Sequence, residues 1–200
     1  MFTGLITQLG HLRDIQPYET GVEWTIAIPI DQINRGASIA INGVCSTVKS
    51  FSDGEIKVDY LPETLKKTTF QSIEIGSTLN IEPSLKYGDE IGGHFVTGHV
   101  DTTGVIKHID TVGDFHRILL SYPNAFAKYI ISKGSIAIDG ISLTVVMDNE
   151  NEVGTFEVHI IPHTWANTRL STLKPSDHVN LEFDQIGKYE HRRKILTPSM

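Results

Sequence analysis

The sequence predicts an all-β protein: two similar small domains in tandem, each a closed β-barrel or a sandwich, followed by a helical tail. Three observations carry this. An ordered internal repeat divides the chain, short alternating segments are separated by glycine-centred turns, and one longer helical segment lies outside the repeat.

The repeat comes first. Residues 38–48, SIAINGVCSTV, match residues 135–145, SIAIDGISLTV, at seven of eleven positions. ETLKKTTF (63–70) aligns with HTWANTRL (163–170), NIEPS (80–84) with NLEFD (180–184), and TGLITQLG (3–10) with TGHVDTTG (97–104). Four matches in one order, offset by 94 to 100 residues, define halves at 1–90 and 91–185 and leave 186–200 as a tail. A unit used only twice is a duplicated domain rather than a solenoid. The polar, glycine-rich EPSLKYGDEIGG between the halves reads as a linker.

Val22–Ile28 alternates with period two, as a half-buried strand does. Thr47–Phe51 and Glu55–Tyr60 flank the turn Ser52-Asp53-Gly54, which makes a hairpin. Arg117–Ser121 and Phe156–Ile161 read as strands, the latter entered through the turn Asp148–Glu152. Three short stretches look helical: Asp31–Asn34, Pro83–Tyr87 and Asn124–Ser132. Gln185–Leu196 is the best longer helix and is suited to contacts between subunits.

Composition narrows the function. Of 200 residues 40% are hydrophobic, enough to build a core. Seventeen Lys and Arg face 24 Asp and Glu, a net charge of −7, which argues against nucleic-acid or anionic-membrane binding. The longest run free of Asp, Glu, Lys and Arg is Gly36–Val48, too short to cross a membrane. MFTGLITQLG has no basic region before its apolar residues, so no secretory signal is expected. The single cysteine, Cys45, excludes an internal disulfide and fits a cytoplasmic compartment. No phosphate-binding loop, dinucleotide fingerprint, HExxH, CxxC or nucleophile elbow is present.

The chemistry-bearing residues cluster in the repeated motifs. His94, His99 and Asp101 in GGHFVTGHVD are three metal-capable groups within eight residues. On a straight strand His94 and His99 would face opposite sides, so two structural histidines is the simpler reading unless the glycines bend the chain. Cys45 and Ser142 occupy equivalent positions, as do Thr47 and Thr144, and Thr64 and Thr164. Matched pairs of this kind would suit one polar heteroaromatic ligand per half, although threonine also simply favours strands. Asn42-Gly43 and Asp139-Gly140 are turn signals, and Asp139 could in addition orient Ser142 or take a proton.

Taken together, MFTG, GASIAINGVCSTV, ETL, GGHFVTGHVD, KGSIAIDGISLTV, IIPHT and NLEFD…GKY resemble the riboflavin synthase family, alpha-subunit type, from Met1 to about Tyr189. The resemblance implies two tandem Greek-key β-barrels plus a C-terminal helix, and a homotrimer. It implies dismutation of two molecules of 6,7-dimethyl-8-ribityllumazine, in which one gives a four-carbon unit to the other. The products are riboflavin and 5-amino-6-ribitylaminopyrimidinedione. No metal or other cofactor is implied. Each barrel binds one lumazine, and the site forms between the N-terminal barrel of one subunit and the C-terminal barrel of another. Association with a lumazine synthase is a further partnership found in some relatives.

Carried over by motif, the first barrel's ligand contacts are Gly4, Leu5 and Ile6; Cys45, Ser46 and Thr47; and Asp59, Tyr60, Leu61, Pro62, Glu63 and Thr64. Those of the second barrel are Gly98, His99 and Val100; Ser142, Leu143 and Thr144; and Ile160, Ile161, Pro162, His163, Thr164 and Trp165. Lys133 is expected to reach the neighbour's ligand. Ser142, His99, Asp139, Cys45 and His94 are the candidates for proton transfer and nucleophile activation, Ser142 and His99 ranking first. Two positions depart from the family pattern: Ser46 stands for the usual leucine and Thr69 for a frequent asparagine. Two other readings are a related lumazine-binding antenna protein without activity, against which the intact second-half motifs argue, and a zinc hydrolase built on His94, His99 and Asp101.

Overall fold

The computed structural model describes residues 1–146 and 154–197. In the first half, β1 (Gln8–Tyr18), β2 (Gly21–Ala27), β3 (Ser38–Ile41), β4 (Val44–Ser52), β5 (Glu55–Tyr60) and β6 (Thr78–Pro83) form a closed antiparallel barrel, ordered β1-β2-β5-β4-β3-β6. Between β5 and β6 lie α1 (Pro62–Lys67) and a 3₁₀ turn, Thr69–Ser72. The second half repeats the plan with β7 (Thr102–Val112), β8 (Phe115–Ser121), β9 (Ser135–Ile138), β10 (Ile141–Val146), β11 (Thr155–Ile160) and β12 (His178–Phe183). It carries 3₁₀ turns at Asn124–Tyr129 and Arg169–Thr172, and α2 (Pro162–Ala166). The tail is α3 (Gln185–Leu196).

Local chemistry explains the elements. Asn42-Gly43, Asp53-Gly54 and Asp139-Gly140 all adopt positive φ, the left-handed pairs that two-residue hairpins require. Bulges after Leu12 in β1 and after Ile106 in β7 let these long strands bend and close the barrels. Each barrel holds its own core. The first is built around Trp24, Tyr60 and Phe70, whose ring centroids lie 4.6–5.0 Å apart. Ser46 belongs to this wall: it is buried, and its Oγ lies 2.7 Å from Tyr60 Oη. The second barrel has Leu143 and Ile160 at these positions. The small Ser46 leaves room for the longer Tyr60, and the paired hydroxyls satisfy each other.

Some expectations change. Asp31–Asn34 and Pro83–Tyr87 are not helical; Pro83 instead ends β6, its backbone extended in the ladder with β3. Helices α1 and α2 are additional to the elements expected from the sequence; Pro62 and Pro162 stand in their first turns, where a missing N–H costs nothing. Glu82, read as part of the linker, is a buried residue of β6. The expected turn at Asp148–Glu152 lies outside the described residues.

The two barrels meet about a pseudo-twofold seam. Phe2 and Val96 form an antiparallel bridge and pack with Ala40 and Ala137. Gly43 faces Gly140 so closely that a β-carbon on Gly43 would lie 2.6 Å from the Gly140 nitrogen. Asn80 donates from Nδ2 to the Asp139 carbonyl (3.0 Å) and accepts from Arg169 N (2.8 Å). Reciprocally, Asn180 donates to the Asn42 carbonyl (2.9 Å) and accepts from Thr69 N (2.8 Å). The symmetry breaks at one pair: Asp139 accepts from Arg169 Nη1 (3.0 Å), where the first half has Asn42 and Thr69. Asn42 Nδ2 and Thr69 Oγ1 are buried without a hydrogen-bond partner among the described residues.

Asp139 is fully buried, and desolvation, the largest influence, pushes its carboxyl up against the opposing pull of Arg169 and the Asn180 amide. Arg169→Ala leaves that burial uncompensated and is expected to cost about 3–5 kcal/mol at neutral pH. A carboxyl raised in the folded state loses stability as pH rises from its unfolded value toward its folded one. The deficit should therefore shrink toward pH values near 3.8, the ordinary aspartate value. Urea melts of both proteins across that range test it.

Candidate functional site

Two straps, residues 3–6 and 97–100, run along the seam. Each is held by a buried glutamate of its own half. Glu82 accepts from Thr3 N (2.7 Å), Thr3 Oγ1 (2.8 Å) and Gly4 N (3.1 Å). Glu182 accepts from Thr97 N (2.7 Å), Thr97 Oγ1 (2.7 Å) and Gly98 N (2.9 Å). Burial pushes the Glu82 carboxyl up, and the strap donors pull against it.

Beyond these anchors the straps cross over. The Gly4 carbonyl accepts from Ser142 N, and the Gly98 carbonyl from Cys45 N, both at 2.8 Å. Ile6 packs on the second core and Val100 on the first. The sequence-based pairing is thus reversed: Gly4, Leu5 and Ile6 serve the second barrel, and Gly98, His99 and Val100 the first. Order along the chain assigns each strap to its own half. The bridge at Phe2 and Val96 carries each strap over the seam instead.

The first barrel opens into two adjoining cavities of about 260 and 450 Å³. Cys45, Leu61 and Thr64 line both. Glu63, Gly98, His99 and Val100 line one, and Ser46, Thr47, Asp59 and Tyr60 the other. The second barrel opens into a cavity of about 360 Å³ lined by Leu5, Ser142, Leu143, Thr144, Ile161 and Thr164, among others. The equivalences Cys45/Ser142, Thr47/Thr144 and Thr64/Thr164 therefore fall at equivalent cavities. Pro62 and Pro162 open the short helices. Ile160 is a core residue, His163 pairs with Asn167, and Trp165 stacks on His116 with ring centroids 3.8 Å apart. Sequence reading missed Arg35, Gly36 and Lys49 at the first barrel, and Gly92, Gly93, Ser135 and His159 at the second. His159 was findable as the repeat partner of Asp59.

The halves differ most in their acid–base groups. His94 Nδ1 lies 2.7 Å from Ser142 Oγ. Burial, the largest influence, holds the His94 imidazole below its usual range despite Asp184 nearby, so it is neutral near pH 7 and able to accept a proton. Gly93 makes this approach feasible: a β-carbon there would sit 2.1 Å from the Thr3 carbonyl oxygen. His99, by contrast, stands with Cys45 at the first barrel. His94 and His99 therefore serve different cavities. Asp101 accepts from Phe183 N and pairs with Lys188 at 2.6 Å. Among the described residues no group of three His, Cys, Asp or Glu side chains converges as metal ligands would. Asp139 lies in the seam, its oxygens occupied by Asn180 N and Arg169, and holds the turn that delivers Ser142. Lys133 is exposed at φ +65°, where the first half has Gly36.

Gly98→Ala brings a β-carbon to 2.6 Å from Cys45 Cβ at a left-handed φ of +79°. It should cost roughly 1–3 kcal/mol. Gly88→Ala, left-handed but in open space, should cost less, and thermal melts of the two separate clash from backbone strain.

Residues 3–84 and 97–184 each match the model of the lumazine binding domain. The chain is 41% identical to a riboflavin synthase of Brucella abortus, covering 96% of this chain and 97% of that protein. It is 40% identical to one of Actinobacillus pleuropneumoniae, covering 100% and 92%, and 36% identical to one of Bacillus subtilis, covering 96% and 89%. Among solved structures, LumP complexed with riboflavin superimposes with a TM-score of 0.84 at 22% identity, covering 92% of this chain and 100% of that one. LumP complexed with 6,7-dimethyl-8-(1′-D-ribityl)lumazine gives 0.82 at 21% identity, with the same coverage. At that identity the likeness is one of fold.

Proposed function

The chain belongs to the lumazine-binding domain family of the riboflavin synthases, and on that footing we propose that it is a riboflavin synthase whose two barrels each hold one 6,7-dimethyl-8-ribityllumazine. It dismutates the pair, passing a four-carbon unit from one to the other and releasing riboflavin and 5-amino-6-ribitylaminopyrimidinedione. One ring system loses the carbons that the other gains, so the exchange needs no external oxidant.

The observation that supports this best is the pair of equivalent cavities, with Cys45 in one and Ser142 in the other, each clamped by a strap carbonyl. The residues lining the first barrel's cavities line none of the second's. Two ligands bound in one chain therefore do not share a chamber, and the reaction requires the first barrel of one copy to face the second barrel of another. Holding two reactants in that arrangement removes up to about 7–11 kcal/mol from the barrier.

Roles follow from chemistry. Neutral His94, bonded to Ser142, takes a proton from the acidic C7 methyl of the second barrel's lumazine or from a nucleophile Ser142 positions. Cys45 and His99 act on the first barrel's lumazine. Asp139 works through Ser142 as a positioning residue. Lys133 extends toward the apposed ligand. The assembly is a homotrimer, for which α3 offers the exposed Ile186, Tyr189, Ile195 and Leu196. Some relatives pair with a lumazine synthase, and that partnership is compatible with this assembly.

Purified protein mixed with the lumazine should form riboflavin at half the lumazine consumed. Binding without flavin would instead identify a carrier. Ser142→Ala and His99→Ala should each slow turnover by about 10²–10⁴-fold with unchanged melting; wild-type rates in both would discard the assignment. The acid limb of the rate profile should lie below pH 6.5, the ordinary imidazole value, because protonation of His94 removes the base. His94→Gln should abolish that limb. Truncation from Gly187 should lower the mass seen by light scattering, and an unchanged mass would exclude α3 from assembly.

A further inference from the structure

Equivalent strands of the two barrels carry opposite charges beside the cavities. In the first barrel Glu23 on β2 lies between two ammonium groups, Lys49 and Lys57, and opposite Asp59 on β5. In the second, the position equivalent to Glu23 is Arg117 on β8, opposite His159 on β11. Arg117 lies between two carboxylates, Asp110 at 2.7 Å and Glu157 at 3.5 Å. Residues 57 and 157 are repeat partners, one lysine and one glutamate. The central residue is thus an acid flanked by bases in one barrel and a base flanked by acids in the other, with Lys49 also pairing Asp59 at 3.2 Å and His159 pairing Glu157 at 2.6 Å. Both networks touch the candidate site, since Lys49 and Asp59 line a first-barrel cavity and His159 lines the second-barrel one.

We propose that these inverted networks select the partner face, directing the first barrel of one copy onto the second barrel of another and rejecting pairs of like barrels. The inference rests on the shared-site reading above and adds its determinant. Apposing unlike faces brings Glu23 toward Arg117 of the other copy and Lys57 toward its Asp110, the more exposed of the two carboxylates. Apposing like faces sets Glu23 against Glu23 or Arg117 against Arg117, and like charges at a contact cost several kcal/mol. Within one chain the exposed pairs, Lys49 and Lys57 with Glu23 and Arg117 with Asp110, add little stability, so their equivalent placement and reversed sign find their use in recognition. Charge of this kind sets register and suppresses wrong partners more than it adds affinity.

The test is a charge swap. Arg117→Glu and Glu23→Arg, each alone, should weaken assembly about tenfold or more in low-salt sedimentation and lower turnover in step. The double variant should recover most of both, as should a mixture of the two single variants at their complementary contact. Circular dichroism establishes that each variant is folded. Should a reversal fail to fold, Glu23→Gln and Arg117→Gln replace it, and both should flatten the salt dependence of assembly. Single variants that assemble like wild type, or a folded double variant no better than the worse single one, would overturn the proposal. Wild-type protein that sediments as one chain while forming riboflavin would overturn the shared-site reading itself.

Discussion

Four side chains at the seam, Asn42, Asn80, Asp139 and Asn180, hydrogen-bond backbone groups that the meeting of two barrels would otherwise bury unpaired. A buried, unpaired amide or carbonyl costs about 1–3 kcal/mol, so the barrels can close on each other only in the one register where these bonds form. That register brings Gly43 against Gly140. It also sets the hairpin turns at 42–43 and 139–140, and therefore where Cys45 and Ser142 emerge.

The straps convert this constraint into sites. Glu82 and Glu182 each use both carboxylate oxygens on one strap. What remains of each strap, a carbonyl and one or two side chains, is delivered to the opposite barrel. The 260 Å³ cavity of the first barrel and the cavity of the second are thus completed by the other half of the chain. A strap from each half therefore reaches a cavity of the other, which ties the two barrels together as one unit.

The halves also differ at residues that line the cavities. The first cavity has cysteine and an exposed histidine; the second has serine bonded to a half-buried histidine. Ser46 with Tyr60, joined by a 2.7 Å hydroxyl contact, stands in the wall of a first-barrel cavity where the second barrel has Leu143 and Ile160. A base position in one barrel is an acid position in the other. Identical halves would hold two identical ligands identically, whereas a dismutation needs one donor and one acceptor.

The residues that repeat along the chain were legible without coordinates, because duplication leaves turns and core positions in the same order. SIAINGVCSTV and SIAIDGISLTV announced the duplication and the paired Cys45 and Ser142, and QIGKYEHRRKIL the lone helix outside the repeat. The crossing of the straps was not legible: nothing in TGLI or TGHV states which barrel lies across the seam. Likewise His94 and Ser142, 48 residues apart, meet only because Gly93 admits the Thr3 carbonyl. Local periodicity and turn chemistry act between neighbours in sequence, and so determined the strands, the hairpins and the residue types offered for chemistry. Which of those residues share a cavity depends on how two closed barrels pack, a long-range constraint satisfied by buried amides and by the absence of side chains at four or five glycines.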